Sequence, residues 1–490
     1  MITTLCWVPR NSLRAVPSAV KPSEEEMRAM MEQLGMDDEE KAQPSTGASM
    51  EEDEGTDAKK GTVGDIAEEL KMDDYDKEDQ AADVKSDNFL GVSMFLGGRN
   101  LTVHNSNSND PYITAQDPDE DSEEDDAVIS STDFVLLAGH TEQEYSSVEV
   151  HVFDKEESSI YVHHNIVIPS FPLSTAYIRP STASSGNDNA PLNFVAVGTF
   201  EPGIEIWNLD MVNAMEPTVC LGGREAPKPV TMSRKKRPGN KKKKGKKKKK
   251  GLKELMMGEL KKGSHSAAVM TLSSNGFDKS CLASGSADNS VKIWDINTQA
   301  CKNTFGHHSD KVQSVEWNPT EAAILLTGGY DGNACCLDIR DSKSIKRYKI
   351  DGEVQSMSWN PNNPAIFAAS SDTGVIMFYD VRKGSQTKPL FTIGAHDGEV
   401  GGVCFNPSSR YPHMLASCSE DKTVKIWDLR SKPVCIEKKE MKIGQVLTIE
   451  FNKEDPEILA AGGSEGKVAL WDIASSPTIV KKYPMPKTKK

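Results

Sequence analysis

Apolar and polar residues alternate along much of this chain in short runs, the period of two expected of half-buried strands, and the runs recur at a regular distance. Val-Lys-Ile-Trp-Asp ends at Asp295 and again at Asp428, and Val-Ala-Leu-Trp-Asp ends at Asp472. Weaker copies, Ala-Cys-Cys-Leu-Asp and Ile-Met-Phe-Tyr-Asp, end at Asp338 and Asp380. The Trp position thus falls at 294, 337, 379, 427 and 471, with spacings of 43, 42, 48 and 44. A second strand pattern runs in step, over Val312–Pro319, Val354–Pro361, Val400–Pro407 and Val446–Asn452, each closing on an aromatic residue and Asn. Between the two patterns lie small-residue stretches that begin at Leu282, Leu325, Phe367, Leu415 and Leu459. Gly, Asn, Asp and Pro punctuate the runs as turn signals.

The N-terminal half carries degenerate copies. Gly203-Ile-Glu-Ile-Trp207 and Val148-Glu-Val-His-Val-Phe153 close two further repeats, which makes seven closing strands, at 153, 207, 294, 337, 379, 427 and 471. Leu173–Pro180 aligns as an opening strand with Ile178 in the aromatic slot. Ile2–Pro9 lies on the template of Val312–Pro319, with Trp7 over Trp317. The first repeat is therefore expected to be split, its opening strand at the N-terminus; the competing reading is a loose tail. Phased Trp-Asp copies of this length resemble WD40 repeats. That resemblance implies an all-β fold, a seven-bladed WD40 β-propeller with two long charged, largely disordered insertions. The expected boundaries are 2–9 for the opening strand of blade 1, 10–126 for an acidic insertion and 127–223 for blades 1 and 2. A lysine-rich insertion follows at 224–263, then blades 3 to 7 at 264–484 and a basic tail at 485–490.

In WD repeats a His before the opening strand, a Ser in the second strand, a turn Asp and the closing Trp bond to one another. The residues on that pattern are His265, Ser284, Asp288 and Trp294 in blade 3, and His396, Ser417, Asp421 and Trp427 in blade 6. Blade 4 has His307 or His308 with Asp331, but Leu337 replaces its Trp; blade 5 keeps Asp372 without the His; blade 7 has Glu465 in the Asp slot. A hydrolase triad uses the same residue types, but it needs one exposed nucleophile in a cleft, not a set recurring from blade to blade. Gly462–Lys467 fails as a phosphate loop, because Ala461 and Val468 stand where Gly and Ser/Thr are needed. The His pairs 163–164 and 307–308 have no Cys or carboxylate at ligand spacing in sequence and read as structural or surface residues. No catalytic, metal or cofactor site is expected, and the chain is read as a non-enzyme without a small-molecule substrate.

Charge changes the picture. The formal net charge is −15, yet residues 21–126 hold 32 acidic against 9 basic side chains, while 234–262 hold 16 basic against 2 acidic. The acidic block is poor in aromatics and cannot bury enough apolar area to offset its ordering entropy. Within it Ser23–Glu26 is a capping box, followed by Met27, Met30, Met31 and Leu34 at helical spacing; this helix packs on the propeller or binds a partner. Ser122, inside Asp119–Asp126, is a candidate phosphorylation site. The basic block comprises Arg234, Lys235, Lys236, Arg237, Lys241, Lys242, Lys243, Lys244, Lys246, Lys247, Lys248, Lys249 and Lys250. Two clusters resemble a bipartite nuclear import signal, and their density also suits RNA backbones; a merely solvated loop is the bland alternative. No aromatic is interleaved, so base readout is not expected. Nine scattered cysteines without C-x-x-C, no signal peptide and no 18-residue apolar run fit a reduced nuclear protein outside membranes.

Three features coincide with the lysine block: the acidic insertion, Asn109-Asp-Pro-Tyr-Ile-Thr114, and Glu149–Asp154 followed by Tyr161–Asn165. Together they resemble the periodic tryptophan protein 1 family of eukaryotic WD-repeat proteins, over essentially the whole chain, with a shorter C-terminal tail. The resemblance implies location in the nucleus and nucleolus and a scaffold role in ribosome biogenesis, in pre-rRNA processing towards the large subunit. It implies pre-60S assembly proteins and pre-rRNA as partners, with a link to rRNA gene chromatin and histones. Two other readings compete. One is a substrate receptor of a cullin-type ubiquitin ligase, from the Asp-x-Arg elements Asp338–Arg340, Asp380–Arg382 and Asp428–Arg430. The other is a histone or chromatin-binding propeller.

Overall fold

The alternating runs fold into seven antiparallel sheets, the blades of a propeller. The computed structural model describes residues 1–19, 128–142, 145–179, 184–185, 188–225, 258–385 and 388–484. The acidic segment with its methionine stripe and Ser122, the basic block and residues 485–490 lie outside the described residues.

Blade 1 consists of β1 (Ile2–Val8), β2 (Phe134–Thr141), β3 (Ser146–Asp154) and β4 (Ser159–Ile168). Blade 2 has β5 (Pro172–Ile178), β6 (Phe194–Thr199), β7 (Gly203–Asn208) and β8 (Val219–Gly222). Blade 3 has β9 (Val269–Ser274), β10 (Cys281–Ser286), β11 (Val291–Asp295) and β12 (Ala300–Phe305). Blade 4 has β13 (Val312–Trp317), β14 (Ile324–Gly329), β15 (Asn333–Asp338) and β16 (Asp341–Lys349). Blade 5 has β17 (Val354–Trp359), β18 (Ile366–Ser371), β19 (Val375–Asp380) and β20 (Phe391–Gly394). Blade 6 has β21 (Gly402–Phe405), β22 (Met414–Cys418), β23 (Thr423–Asp428) and β24 (Val434–Glu440). Blade 7 has β25 (Val446–Phe451), β26 (Ile458–Gly463) and β27 (Val468–Asp472). The innermost strands neighbour one another around the ring, and β1 lies beside β25, so the first blade meets the last.

The small-residue stretches are the second strands, and their size has a steric cause. A Cβ on Gly285 would stand 2.7 Å from both Thr271 Cγ2 and Val312 Cγ1. One on Gly462 would stand 2.6 Å from Ile2 Cγ2, at the junction of blades 7 and 1. The core lies between blades, in clusters that pair one face of each sheet with the next. Ile2, Leu5, Trp7, Phe134, Leu136 and Ala138 of blade 1 bury against Ile458 and Ala460 of blade 7.

Six blades have four strands each, but blade 7 has three among the described residues. After β27 the Asp472 carboxylate accepts from Ala474 N–H, and Ile473–Ser475 turn as a 3₁₀ helix. Ser476 then caps α1 (Pro477–Lys482), with Pro at its first position. These capping signals, and burial of Ile479 and Tyr483 beside Tyr411, carry the chain to blade 6 instead of along β27.

Candidate interaction sites

The His-Ser-Asp-Trp sets meet in space as closed hydrogen-bond chains. In blade 3 the Trp294 indole donates to Ser284 Oγ (2.8 Å), His265 Nε2 lies 2.7 Å from that oxygen, and His265 Nδ1 lies 3.1 Å from Asp288. The chemistry assigns the tautomer: Nδ1–H donates to the carboxylate, and Nε2 accepts the Ser284 hydroxyl. Blade 6 repeats the arrangement, with Trp427 to Ser417 at 2.9 Å, Ser417 to His396 at 2.8 Å and His396 to Asp421 at 2.9 Å. Burial pushes the His265 and His396 imidazoles below their ordinary values, against the pull of their Asp partners. Burial raises the Asp288 carboxyl, but hydrogen bonds from His265, Ser290 and Ser266 N–H outweigh it and hold it well below the usual range. Both serines are fully buried in these chains, with no opening to a substrate.

Blade 4 solves the loss of its Trp in a way the spacing left open between two histidines: it uses both. His308 takes the usual place, with Nδ1 at 3.1 Å from Asp331 and Nε2 at 2.9 Å from Thr327 Oγ1. His307 Nε2 lies 2.8 Å from the same hydroxyl and supplies the N–H that an indole supplies elsewhere. The sequence reading also missed that Cys335, on β15, brings its sulfur near this pair, the three potential ligand atoms lying within 4.8 Å of one another. The hydrogen-bond chain engages both Nε2 atoms, and burial pushes the Cys335 thiol up to about 12.

A second periodic device joins neighbouring blades. The Trp7 indole donates to Glu450 O (3.2 Å), Trp317 to Ser273 O (3.0 Å) and Trp359 to Glu316 O (3.2 Å). The backbone N–H of each Trp donates to the side chain of the same residue in the preceding blade. The Asn that follows the aromatic slot ties the next loop: Asn275 to Ala322 O, Asn318 to Pro364 O and Asn406 to Pro456 O.

At this end of the ring a cavity of about 600 Å³ opens, lined among others by Phe277, Glu316, Trp317, Cys404, Glu450 and Lys453. Burial pushes Glu316 up to about 8, and Glu450 upward as well, against the charge of Lys453 and the N–H groups they accept. The walls include the aromatic rings of Phe277 and Trp317, and the polar groups Glu316, Glu450 and Lys453 lie among them.

The acidic segment falls in the chain between β1 and β2. The basic block lies between the end of β8 and the start of β9. Its base is tied: Arg224 pairs with Leu260 in an antiparallel bridge, and Gly223 N–H donates to Ser264 Oγ at 2.8 Å. Each Arg of the Asp-x-Arg elements grips its own blade's Asp: Arg340–Asp338 at 2.6 Å, Arg382–Asp380 at 2.7 Å and Arg430–Asp428 at 2.9 Å. They cap closing strands and leave the receptor reading without support. Gly462–Lys467 forms the turn between β26 and β27.

Comparison with known proteins agrees with this architecture. Residues 258–295, 299–338 and 387–428 match the model of the WD domain, G-beta repeat. The chain is 33% identical to an uncharacterized WD repeat-containing protein of Schizosaccharomyces pombe, over 93% of this chain and 85% of that protein. It is 29% identical to periodic tryptophan protein 1 of Saccharomyces cerevisiae, over 92% of this chain and 84% of the yeast protein. The Drosophila melanogaster periodic tryptophan protein 1 homolog is 31% identical, over 69% of this chain and 67% of its own length. With the seven blades, the shared length and the inter-blade tryptophans, this chain belongs to the periodic tryptophan protein 1 family of WD-repeat proteins.

Proposed function

We propose that the protein is a non-enzymatic scaffold of ribosome biogenesis, acting in the nucleus and nucleolus on pre-rRNA processing and large-subunit assembly. Membership of the family carries this reading, because the resemblance described above implies that role. The architecture supports it: a ring of seven blades with two oppositely charged insertions can engage an RNA and a basic protein at once. The basic block, Arg234–Lys250, is the element for import and for sequence-independent contact with the pre-rRNA backbone. The charge of the acidic segment suits basic partners, pre-60S assembly proteins foremost and histones as the chromatin alternative. Phosphorylation of Ser122 would deepen the acidic charge.

The test is a tagged pull-down of the intact chain beside one lacking 234–262, with RNA and proteins identified from nuclear extract. Pre-60S proteins and pre-rRNA with the intact chain, and loss of RNA or of nucleolar location on deletion, support the reading. A cullin adaptor, or no ribosomal material, overturns it.

A further inference from the structure

Blade 7 lacks a neighbour on the outer side of β27 among the described residues. Lys467 O accepts from Gly463 N–H, and Ile473 N–H donates to Glu457 O, so the odd-numbered residues of this strand bond to β26. In an antiparallel ladder the alternate residues turn the other way. The N–H and C=O groups of Val468 and Leu470 therefore point out of the sheet, while the Asp472 carbonyl accepts the Ser475 hydroxyl at 2.6 Å. Such an edge is a template for another strand, and native proteins usually cover it.

Blade 1 carries a matching gap. On its outer pair of strands Phe153 stands opposite Ile160, His151 opposite Val162, and Ser147 opposite Val167, so these residues share one face. Phe153 packs on the same cluster as Val468 and Leu470, the one that joins blades 1 and 7, so that face looks towards blade 7. Ile160, Val162 and Val167 are 36%, 48% and 57% exposed, and they stand where a fourth strand of blade 7 would cover them. On the opposite wall, Lys439 of β24 reaches over the Trp471 ring at 5.0 Å.

Both flanking blades have four strands and extend one strand beyond β27. The open edge at Val468 and Leu470 thus lies in a cleft between two outer strands, and at its other end Ser476 and Thr478 bond to Glu437 of β24. A second ring cannot reach that edge, since its own flanking blades would strike these; a single extended segment can. We infer that the cleft takes an extended segment of a partner protein as the fourth strand of blade 7. The segment presents aliphatic side chains at alternate positions to Ile160, Val162 and Val167, and an acidic side chain between them to Lys439. Backbone hydrogen bonds supply affinity and the alternate side chains supply selectivity. This goes beyond the scaffold reading and stands or falls separately from it.

The experiment is selection of a displayed random heptapeptide library on the full-length chain, followed by anisotropy with the enriched peptides. The expected peptides alternate aliphatic residues with acidic ones. They slow amide exchange at Val468 and Leu470 at least tenfold. Val468→Pro removes an outward N–H at the first residue of an edge strand, a place where Pro leaves the ladder intact; it is expected to weaken binding at least tenfold. Val162→Lys, at an exposed position that keeps the fold whatever Val468→Pro does, is expected to do the same. No enrichment above an unrelated propeller, or peptides that bind both variants as tightly as the parent, overturns the proposal.

Discussion

At the scale of single residues the tetrads show how a buried polar group earns its place. Ser284 receives the Trp294 indole and donates to His265, all three buried. Ser284→Ala strands two such groups, and the expected cost is about 2–3 kcal/mol by urea unfolding. His307→Leu removes one donor from Thr327, and about 1 kcal/mol is expected. The same groups set the acid limit. His265 and His396 are lowered, His307 is lowered to about 3 and His164 to about 4, mainly by burial. A lowered imidazole contributes stability above its unfolded value of 6.5, and that contribution is lost as pH falls towards the folded value. The melting temperature is thus expected to drop between pH 6.5 and 4, and further as Asp288 and Asp331 protonate below their unfolded 3.8. Glu316 works with the opposite sign: raised from 4.5 to about 8, its contribution is present below 4.5 and lost as pH rises through 8. Glu316→Gln is expected to raise the melting temperature at pH 9 and leave it unchanged near pH 4, by scanning fluorimetry across pH.

At the scale of elements, the inner strands do two jobs: they line the channel and bolt blade to blade. Trp7→Ala and Trp317→Ala each remove a buried indole and its inter-blade bond, at an expected cost of about 3–5 kcal/mol. They differ in kind. Trp317 joins consecutive blades, whereas Trp7 bonds to Glu450 across the whole length of the chain and closes the ring. Trp7→Ala is therefore expected to broaden the denaturant transition as well as shift it, while Trp317→Ala shifts it alone. Equal cooperativity in the two variants would mean that the ring does not depend on its closing contact.

At the scale of the molecule, ring closure rests on a strand separated from the rest of its blade by an insertion. Val8 of β1 pairs with Val135 of β2, so the insertion is a loop between adjacent strands. Replacing 20–127 with a linker of about six Gly and Ser residues shortens that loop, and loop-closure entropy alone predicts a gain of about 2 kcal/mol. Residues 10–19 and 128–133 must stay, because Arg14 N–H bonds to Asp210 and Ile129 N–H to Ala15 O. A loss of stability in this variant, read by urea unfolding, would show that the insertion contributes contacts of its own.

The sequence by itself determined the local physics: period-2 runs, turn residues and an aromatic position in fixed phase, from which seven blades, the inner-strand role of Ile2–Val8 and the tetrad residues were legible. Each of these depends on neighbours within one repeat or on the repeat itself. What depends on packing between distant parts was not legible. Cys335 meets His307 and His308 only through the register of β14 with β15. Glu316 and Glu450 look like ordinary strand residues until the ring turns them into its channel. That β27 is an edge strand among the described residues was hidden, because a strand is counted from its own residues, whereas an edge is a property of what lies beside it. Side-chain alternation is a local constraint; the partners of an edge, a thiol or a carboxylate are chosen only when the ring closes.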